Sequence, residues 1–334
     1  MHKMVIVFII LLHTVLMADW KEYKTLFIAK DGRVIDKRNE QITHSEAVGY
    51  ALYLAYKNED KESFNNVYQW YKNNLKTNEA GLIPWKWGKD DNGKWQMLDS
   101  NSAADGNLWI AYDNLLMYER TSNIQYKNEA MQLIESIKKH LIVKMNGETF
   151  LLPSENGYTD DRSIEINLSY YLFFIFDKFK AYDIDTVWTT LKKDGISLLK
   201  KARFTSLQLH PDWIRVMKKD NKITFGHTAH FSYDAIRIPF NILKSDIADK
   251  KELLTPYVKF VDAMKKLETV FGVVDLKDGN ISIYNYAYAQ LSVYNMIDDY
   301  FNHSRSFEEK STKMRKENHD DYYSYSIYLL TVTD

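Results

Sequence analysis

Cysteine is absent from this 334-residue chain. That excludes disulfides, zinc–thiolate centres and a cysteine-linked lipid anchor, so stability has to come from the core alone. Proline is scarce at 5 residues, which leaves room for many uninterrupted helices. An excess of charge is also missing. With 44 basic and 45 acidic residues the net charge is -1, so nothing in the composition favours a nucleic acid or another polyanion. A neutral polymer suits that balance better. There is no Pro/Ser-rich linker, low-complexity tract or clear internal repeat. Nor is there a metal-ligand cluster, a Gly-rich phosphate loop or a Ser-His-Asp arrangement, so no metal and no cofactor are expected. His44 reads as a polar neighbour of Glu46 rather than a ligand.

Aromatic residues, by contrast, are plentiful: 24 Tyr, 16 Phe and 8 Trp in a chain that is 45% apolar. At the N-terminus Lys3 precedes an apolar run from Met4 to Leu12, and Ala18 is a small residue suited to a cleavage point. The run is short of the roughly 20 residues a membrane span needs. Residues 1–18 therefore read as a secretory signal peptide, with an uncleaved anchor as the alternative. No second run of spanning length follows. An exported protein, periplasmic or secreted, with no membrane contact after leader removal, is the expectation.

Residues 19–334 read as one mostly helical domain. Val48-Tyr50-Ala51-Leu52-Leu54-Ala55 keeps one apolar face at helical spacing. Leu108-Ile110-Ala111-Leu115-Leu116, Met131-Leu133-Ile134-Ile137 and Val258-Val261-Met264-Leu267 do the same. Twelve helices near the mean length of about 11–12 residues, plus loops, would fill the domain. Short strand pairs interrupt the pattern. Leu141–Val143 and Thr149–Leu152 flank an Asn146-Gly147 turn, and Val273-Val274 and Ile281–Ile283 flank Asp278-Gly279-Asn280. A weaker pair surrounds Asp220-Asn221.

Three carboxylates stand at predicted helix starts: Glu46 after Thr43-His44-Ser45, Asp105 after Ser102-Ala103-Ala104, and Asp234 after Phe231-Ser232-Tyr233. The bland explanation is capping. Thr43 to Glu46 and Ser102 to Asp105 have capping-box spacing, and an acid in a first turn complements the helix dipole. The surroundings argue for more. Tyr50 is near Glu46, Trp109 and Tyr112 follow Asp105, and Tyr233 precedes Asp234. Trp85, Trp87 and Trp95 lie in a polar segment, where indoles can stack on sugar rings, although core packing would also explain them. An apolar neighbourhood raises a carboxyl pKa, as a general acid requires. Arg237, one turn after Asp234, is expected to keep that carboxylate ionised at neutral pH.

These residues carry a resemblance. Asp31-Gly32-Arg33-Val34-Ile35-Asp36 and Thr43-His44-Ser45-Glu46-Ala47-Val48-Gly49-Tyr50, the Trp-rich Pro84-Trp85-Lys86-Trp87-Gly88, and Leu98 through Ala111 follow in order. So do Asn167-Leu168-Ser169-Tyr170, Pro211-Asp212-Trp213, Ser232-Tyr233-Asp234-Ala235-Ile236-Arg237 and Asp321-Tyr322-Tyr323-Ser324-Tyr325. The chain resembles glycoside hydrolase family 8, and its pattern is most similar to the periplasmic endoglucanases encoded with bacterial cellulose synthase. The resemblance implies an all-α (α/α)6 barrel that hydrolyses a β-1,4-glucan such as cellulose internally and with inversion. It also implies a functional association with a cellulose synthase complex, and a monomer is expected. Glu46 would be the general acid and Asp234 the base. Asp105 would bind the sugar at the cleavage subsite. Ser45, Tyr50, Trp85, Trp87, Ala103, Tyr170, Tyr233 and Arg237 would contact substrate.

The chain departs from the family pattern at Ala47, Ala104, Asn107, Leu168 and Ile164, where Gly, Ser or Thr, Asp, Pro and Trp are usual. Two other readings compete. One is a same-family hydrolase of xylan, mixed-linkage glucan or chitosan, because specificity rests on few pocket contacts. The other is a non-catalytic polysaccharide-binding protein, which would need the aromatics but not three acids.

Overall fold

The structure, a computed structural model, describes residues 19–282 and 287–333. The expected leader, and Ile283 at the end of an expected strand, lie outside them. Residues 19–27 are helical (α1). There follow α2 Ser45–Lys57, α3 Lys61–Asn74, α4 Ala104–Thr121, α5 Ile124–Leu141, α6 Phe173–Lys180, α7 Val187–Lys201, α8 Arg237–Lys244, α9 Lys250–Lys266, α10 Tyr288–Asn302, α11 Glu308–Glu317 and α12 Tyr322–Val332.

The even-numbered helices form a closed ring. α2 touches α4, and contact passes through α6, α8 and α10 to α12, which returns to α2. α3, α5, α7, α9 and α11 pack outside their ring partners. α1 completes the outer layer against α12, where Tyr23 Oη and Ser326 Oγ are 3.0 Å apart and Tyr23 tilts against Tyr325. This is the expected (α/α)6 barrel. The two rings differ as their environments require. α5 buries one stripe, Tyr126, Ala130, Leu133, Ile134, Ile137 and Leu141, and leaves Asn128, Gln132, Glu135 and Lys139 exposed. α4 buries every residue from Ala104 to Ala111, because neighbours surround it. No helix among the described residues is long and apolar enough to cross a membrane.

Short strands decorate the helix ends. β1 Thr43–His44, β2 Pro84–Lys89 and β3 Trp95–Ser102 make one sheet. β4 Ile142–Met145 and β5 Glu148–Leu151 form the expected hairpin, and Asn146 (φ 48°) and Gly147 (φ 78°) supply the two left-handed residues of its turn. β6 Ser163–Asn167 pairs with β7 Trp213–Met217, which pairs with β8 Ile223–Phe225 around the weaker predicted turn. β9 His230–Phe231, β10 Val273–Asp275 and β11 Ile281–Ser282 form the last sheet. The β2–β3 hairpin was not expected, since its polar sequence reads as a loop.

Two glycines let α2 and α4 approach closely. A Cβ on Gly106 would stand 2.2 Å from Ser45 Oγ and 2.7 Å from Ser45 C, and one on Gly49 would stand 2.5 Å from Trp109 Cβ. The contact is reciprocal, and it brings the first turns of the two helices, with Glu46 and Asp105, side by side. Gly106→Ala is therefore expected to cost about 1–3 kcal/mol, the usual range for overpacking, because backbone as well as side chain must move. Urea denaturation at fixed pH measures it, and a midpoint unchanged from wild type would contradict the close contact.

Candidate active site

Where the inner helices begin, a groove of about 470 Å³ opens, and Glu46, Asp105, Asp234 and Arg237 all line it. Arg237 joins the three acids. Its Nη1 donates to Glu46 Oε1 and to Asp105 Oδ2 at 3.0 Å, and its Nη2 donates to Asp234 Oδ1 at 2.6 Å. Tyr50 donates its hydroxyl to Glu46 Oε1 at 3.0 Å and accepts from Arg237 Nη1 at 3.2 Å. The side chains grade outward: Asp105 is 4% exposed, Arg237 6%, Glu46 15% and Asp234 31%. Asp234 thus has the most open approach from the groove.

The acids are not caps. Thr43 lies in β1 and sends its hydroxyl to Val34 O at 2.5 Å, while His44 occupies the cap position of α2 with no side-chain cap bond. Ser102 lies in β3 and gives its hydroxyl to Glu155 Oε2 at 2.5 Å, and Ala103 precedes α4. Asp105 Oδ1 accepts from the Gly106 N–H at 2.8 Å. The expectation that Asp234 opens a helix is corrected: it sits in a turn after β9, and α8 begins three residues later at Arg237. That offset puts Asp234 and Arg237 in ion-pair contact.

Electrostatics also differ from expectation. Asp234 does meet Arg237, yet its pKa is pushed up to about 7, first by burial and then by the like charges of Asp212 and Asp105. Trp213 Nε1, donating to Asp234 Oδ2 at 3.0 Å, and the Asn167 amide oppose the rise. Burial likewise raises Asp105 to about 7, opposed by the Gly106 N–H and by His44. One guanidinium cannot neutralise three enclosed carboxylates, so the cluster keeps a proton near neutrality instead of ionising fully.

Aromatic rings wall the groove. Trp85, Tyr170, Tyr233 and Tyr323 line it, with Ser45 and Ala103 as small residues beside the acids. The Trp85 indole donates to Asp99 at 2.8 Å. Arg237 stands over the Tyr170 ring at 5.6 Å. Tyr323 donates to the Tyr233 backbone carbonyl, tying α12 to the turn that carries Asp234. Trp87 does not line this groove. It stacks on Trp95 at 4.9 Å, meets Trp70 edge-on at 5.1 Å and is covered by Arg33. Two register shifts between Pro84 and Trp87 break the alternation of β2, so Trp85 and Trp87 part company.

Several residues that matter here were not singled out. Arg38, Asn39, Asp321 and Tyr323 line the groove beside His44, the expected polar neighbour of Glu46, and Asp212, Trp213, Asn167 and Glu155 stand behind the acids. Three of the motif segments, Asn167-Leu168-Ser169-Tyr170, Pro211-Asp212-Trp213 and Asp321-Tyr322-Tyr323, contained the available signal. Two of the departures, Asn107 and Ile164, have local accounts. Asn107 accepts from Ile83 N at 2.8 Å and donates to Ile83 O and Ala103 O at 2.9 Å, which a carboxylate could not do. Ile164 is a buried strand residue opposite Val216, outside the groove lining.

A helical barrel with paired carboxyl groups and aromatic walls at one rim defines a polysaccharide-hydrolase architecture. A sequence profile described as Glycosyl hydrolases family 8 matches residues 2–333, and the chain belongs to that family. A probable endoglucanase of Novacetimonas hansenii is 29% identical over 271 residues, covering 80% of this chain and 78% of the relative. An endoglucanase of Escherichia coli O157:H7 is 34% identical over 227 residues, covering 66% of this chain. This chain spans 60% of that relative's length. The solved endo-beta-1,4-glucanase CMCax from Acetobacter xylinum superposes with a TM-score of 0.83 at 26% identity, covering 95% of this chain and 97% of that one.

The raised pKa of Asp234 has a consequence for stability. Its unfolded value is 3.8 and its folded value about 7. Between those values the unfolded state releases the proton more readily, so stability falls as pH rises from about 4 to 7 and the loss then levels off. Asp234→Asn removes this ionisation. The melting temperature of the variant, relative to wild type, is therefore expected to rise across that window and to plateau above it. A difference independent of pH would show that Asp234 titrates as an ordinary carboxylate.

Proposed function

We propose that this chain is an endo-acting, inverting hydrolase of a β-1,4-glucan such as cellulose. The observation that carries the reading is the gathering of Glu46, Asp105 and Asp234 on one guanidinium at the floor of an aromatic-walled groove. Two carboxyl groups and a water are the parts an inverting glycosidase needs. Glu46 and Asp234 meet different nitrogens of Arg237, which holds them apart across it. Glu46 protonates the glycosidic oxygen as the bond breaks. Asp234, the more open acid, takes a proton from the water that attacks the opposite face of the sugar. Asp105 holds the sugar at the cleavage subsite, accepting hydroxyl hydrogen bonds that strengthen as the ring flattens, while Tyr50, buried behind Glu46, steadies that acid through its hydroxyl.

Export to the periplasm or medium belongs to the same reading and is supported by Lys3, the apolar run to Leu12 and Ala18. Work beside a cellulose synthase complex, by a monomer, completes it. That part rests on the motif pattern shared with the family's cellulose-associated members.

Glu46→Gln keeps the shape and removes the transferable proton, so turnover on carboxymethylcellulose is expected to fall by at least about 10²–10⁴-fold with the fold intact. Near-wild-type turnover would remove Glu46 from the role of acid. For stereochemistry, proton NMR of the wild-type reaction in its first minutes is expected to show the α-anomer of the new reducing end. Initial β-anomer would point to retention. Reducing-sugar release from cellulose, xylan, mixed-linkage glucan and chitosan then separates the substrate classes, and release from none of them would favour a binding protein.

A further inference from the structure

The mechanism above does not use Asp212, although it is 5% exposed and lies directly behind the proposed base. Its Oδ1 accepts from the Ser232 N–H at 3.0 Å and the Ala235 N–H at 2.8 Å, and its Oδ2 accepts from the Ser232 hydroxyl. These bonds bracket the turn that contains Asp234, from two residues before it to one residue after. Asp212 is itself fixed: its own N–H donates to His230 O at 2.7 Å, anchoring it to β9. The next residue, Trp213, donates its indole N–H to Asp234 Oδ2 at 3.0 Å. One dipeptide therefore grips both the backbone and the carboxylate of the base.

We propose that Asp212 is a positioning residue for the reaction, holding the Ser232–Ala235 turn so that Asp234 meets the attacking water in line, with its own carboxyl group placed behind that of Asp234. The proposal rests on the reading of Asp234 as base. A turn this tightly held needs acceptors at both of its N–H groups, and a carboxylate supplies them from one side chain. Its charge acts as well. Asp212 is a like charge at short range, so it disfavours ionisation of Asp234 and makes the carboxylate a stronger base once ionised. The other charged and titratable groups facing Asp234 are Arg237 on α8 and Asp105 on α4, with Glu46 on α2 beyond the guanidinium. Tyr323 on α12, and Tyr158 and Tyr170 in the loops, complete the surround. None of these is altered by a substitution at 212.

Two variants separate position from charge. Asp212→Asn keeps an oxygen for both N–H groups, and the Ser232 hydroxyl can turn to accept from the new amide, so the turn is preserved and only the charge is lost. Asp212→Ala removes both. On carboxymethylcellulose, Asp212→Ala is expected to lower kcat by about 10²-fold with KM little changed, the size of loss that follows a displaced catalytic group. Asp212→Asn is expected to recover most of that kcat and to move the acid limb of the kcat/KM profile to lower pH, because Asp234 then ionises more easily. If Asp212→Ala does not fold, the pH profile of Asp212→Asn decides alone. An acid limb unmoved in Asp212→Asn, or a kcat in Asp212→Ala equal to wild type, overturns the proposal. Asp234→Asn, run beside them, tests the parent reading separately. Turnover retained there removes Asp234 as base. Turnover lost there, with both Asp212 variants behaving as wild type, counts against Asp212 alone.

Discussion

The guanidinium of Arg237 is the contact on which the rest of the site depends. It is almost fully enclosed, so it is stable there only because anions surround it, and the carboxyl groups it touches are costly to bury without it. Its partners come from the first turns of α2 and α4 and from the turn before α8. Each is far from the others in sequence, and none can shift without exposing or orphaning a charge. The imbalance of one cation to three acids is as important as the contact itself. It leaves the cluster short of positive charge, and burial then keeps a proton in it near neutral pH, which acid–base chemistry requires.

Around this cluster the chain repeats one device. Ser102, three residues before Asp105, gives its N–H and hydroxyl to Glu155, and Ser232, two residues before Asp234, gives its N–H and hydroxyl to Asp212. In both cases a partly or fully buried carboxylate from a distant segment gathers the backbone ahead of a site aspartate. The asymmetry between them is informative. Glu155 is held below the ordinary carboxylate range by Ser102, Ser154 and backbone N–H groups, whereas Asp212 is raised by its burial. The first behaves as a fixed anion that anchors a strand end. The second is near enough to Asp234 to alter its titration.

Much of the barrel was legible because period and burial agree. The stripe on α5, the apolar runs on α2 and α4, and the Asn146-Gly147 turn are local signals that the tertiary structure leaves in force. The site was legible in composition but not in geometry. The bland alternative, a capping box from Ser102 to Asp105, does not form because the serine hydroxyl has another partner, Glu155, 53 residues away. The start of α8 was misplaced because Ser232 and Asp234 resemble cap residues, while Asp212 holds them in a turn. Trp85 and Trp87 look equivalent at a spacing of two, and only the irregular pairing of β2 with β3 separates groove from scaffold. The expectation that Arg237 keeps Asp234 ionised counted the cation and missed the competing acids.

A perturbed carboxyl is not by itself a mark of function, and helix α4 shows why. Asp113 lies about two turns beyond Asp105 on the same helix, is fully buried, and has neither oxygen hydrogen-bonded among the described residues. Burial pushes its pKa well above the usual value. Asp105 is nearly as enclosed, yet it has a cation, a backbone N–H and a face on the groove. What distinguishes the two is access and partnership. Asp105 can accept a sugar hydroxyl from the groove while it keeps its Arg237 contact, whereas Asp113 does not line that groove and has no hydrogen-bond partner among the described residues. That distinction, rather than the size of the shift, separates an acid that faces the groove from one held in the core.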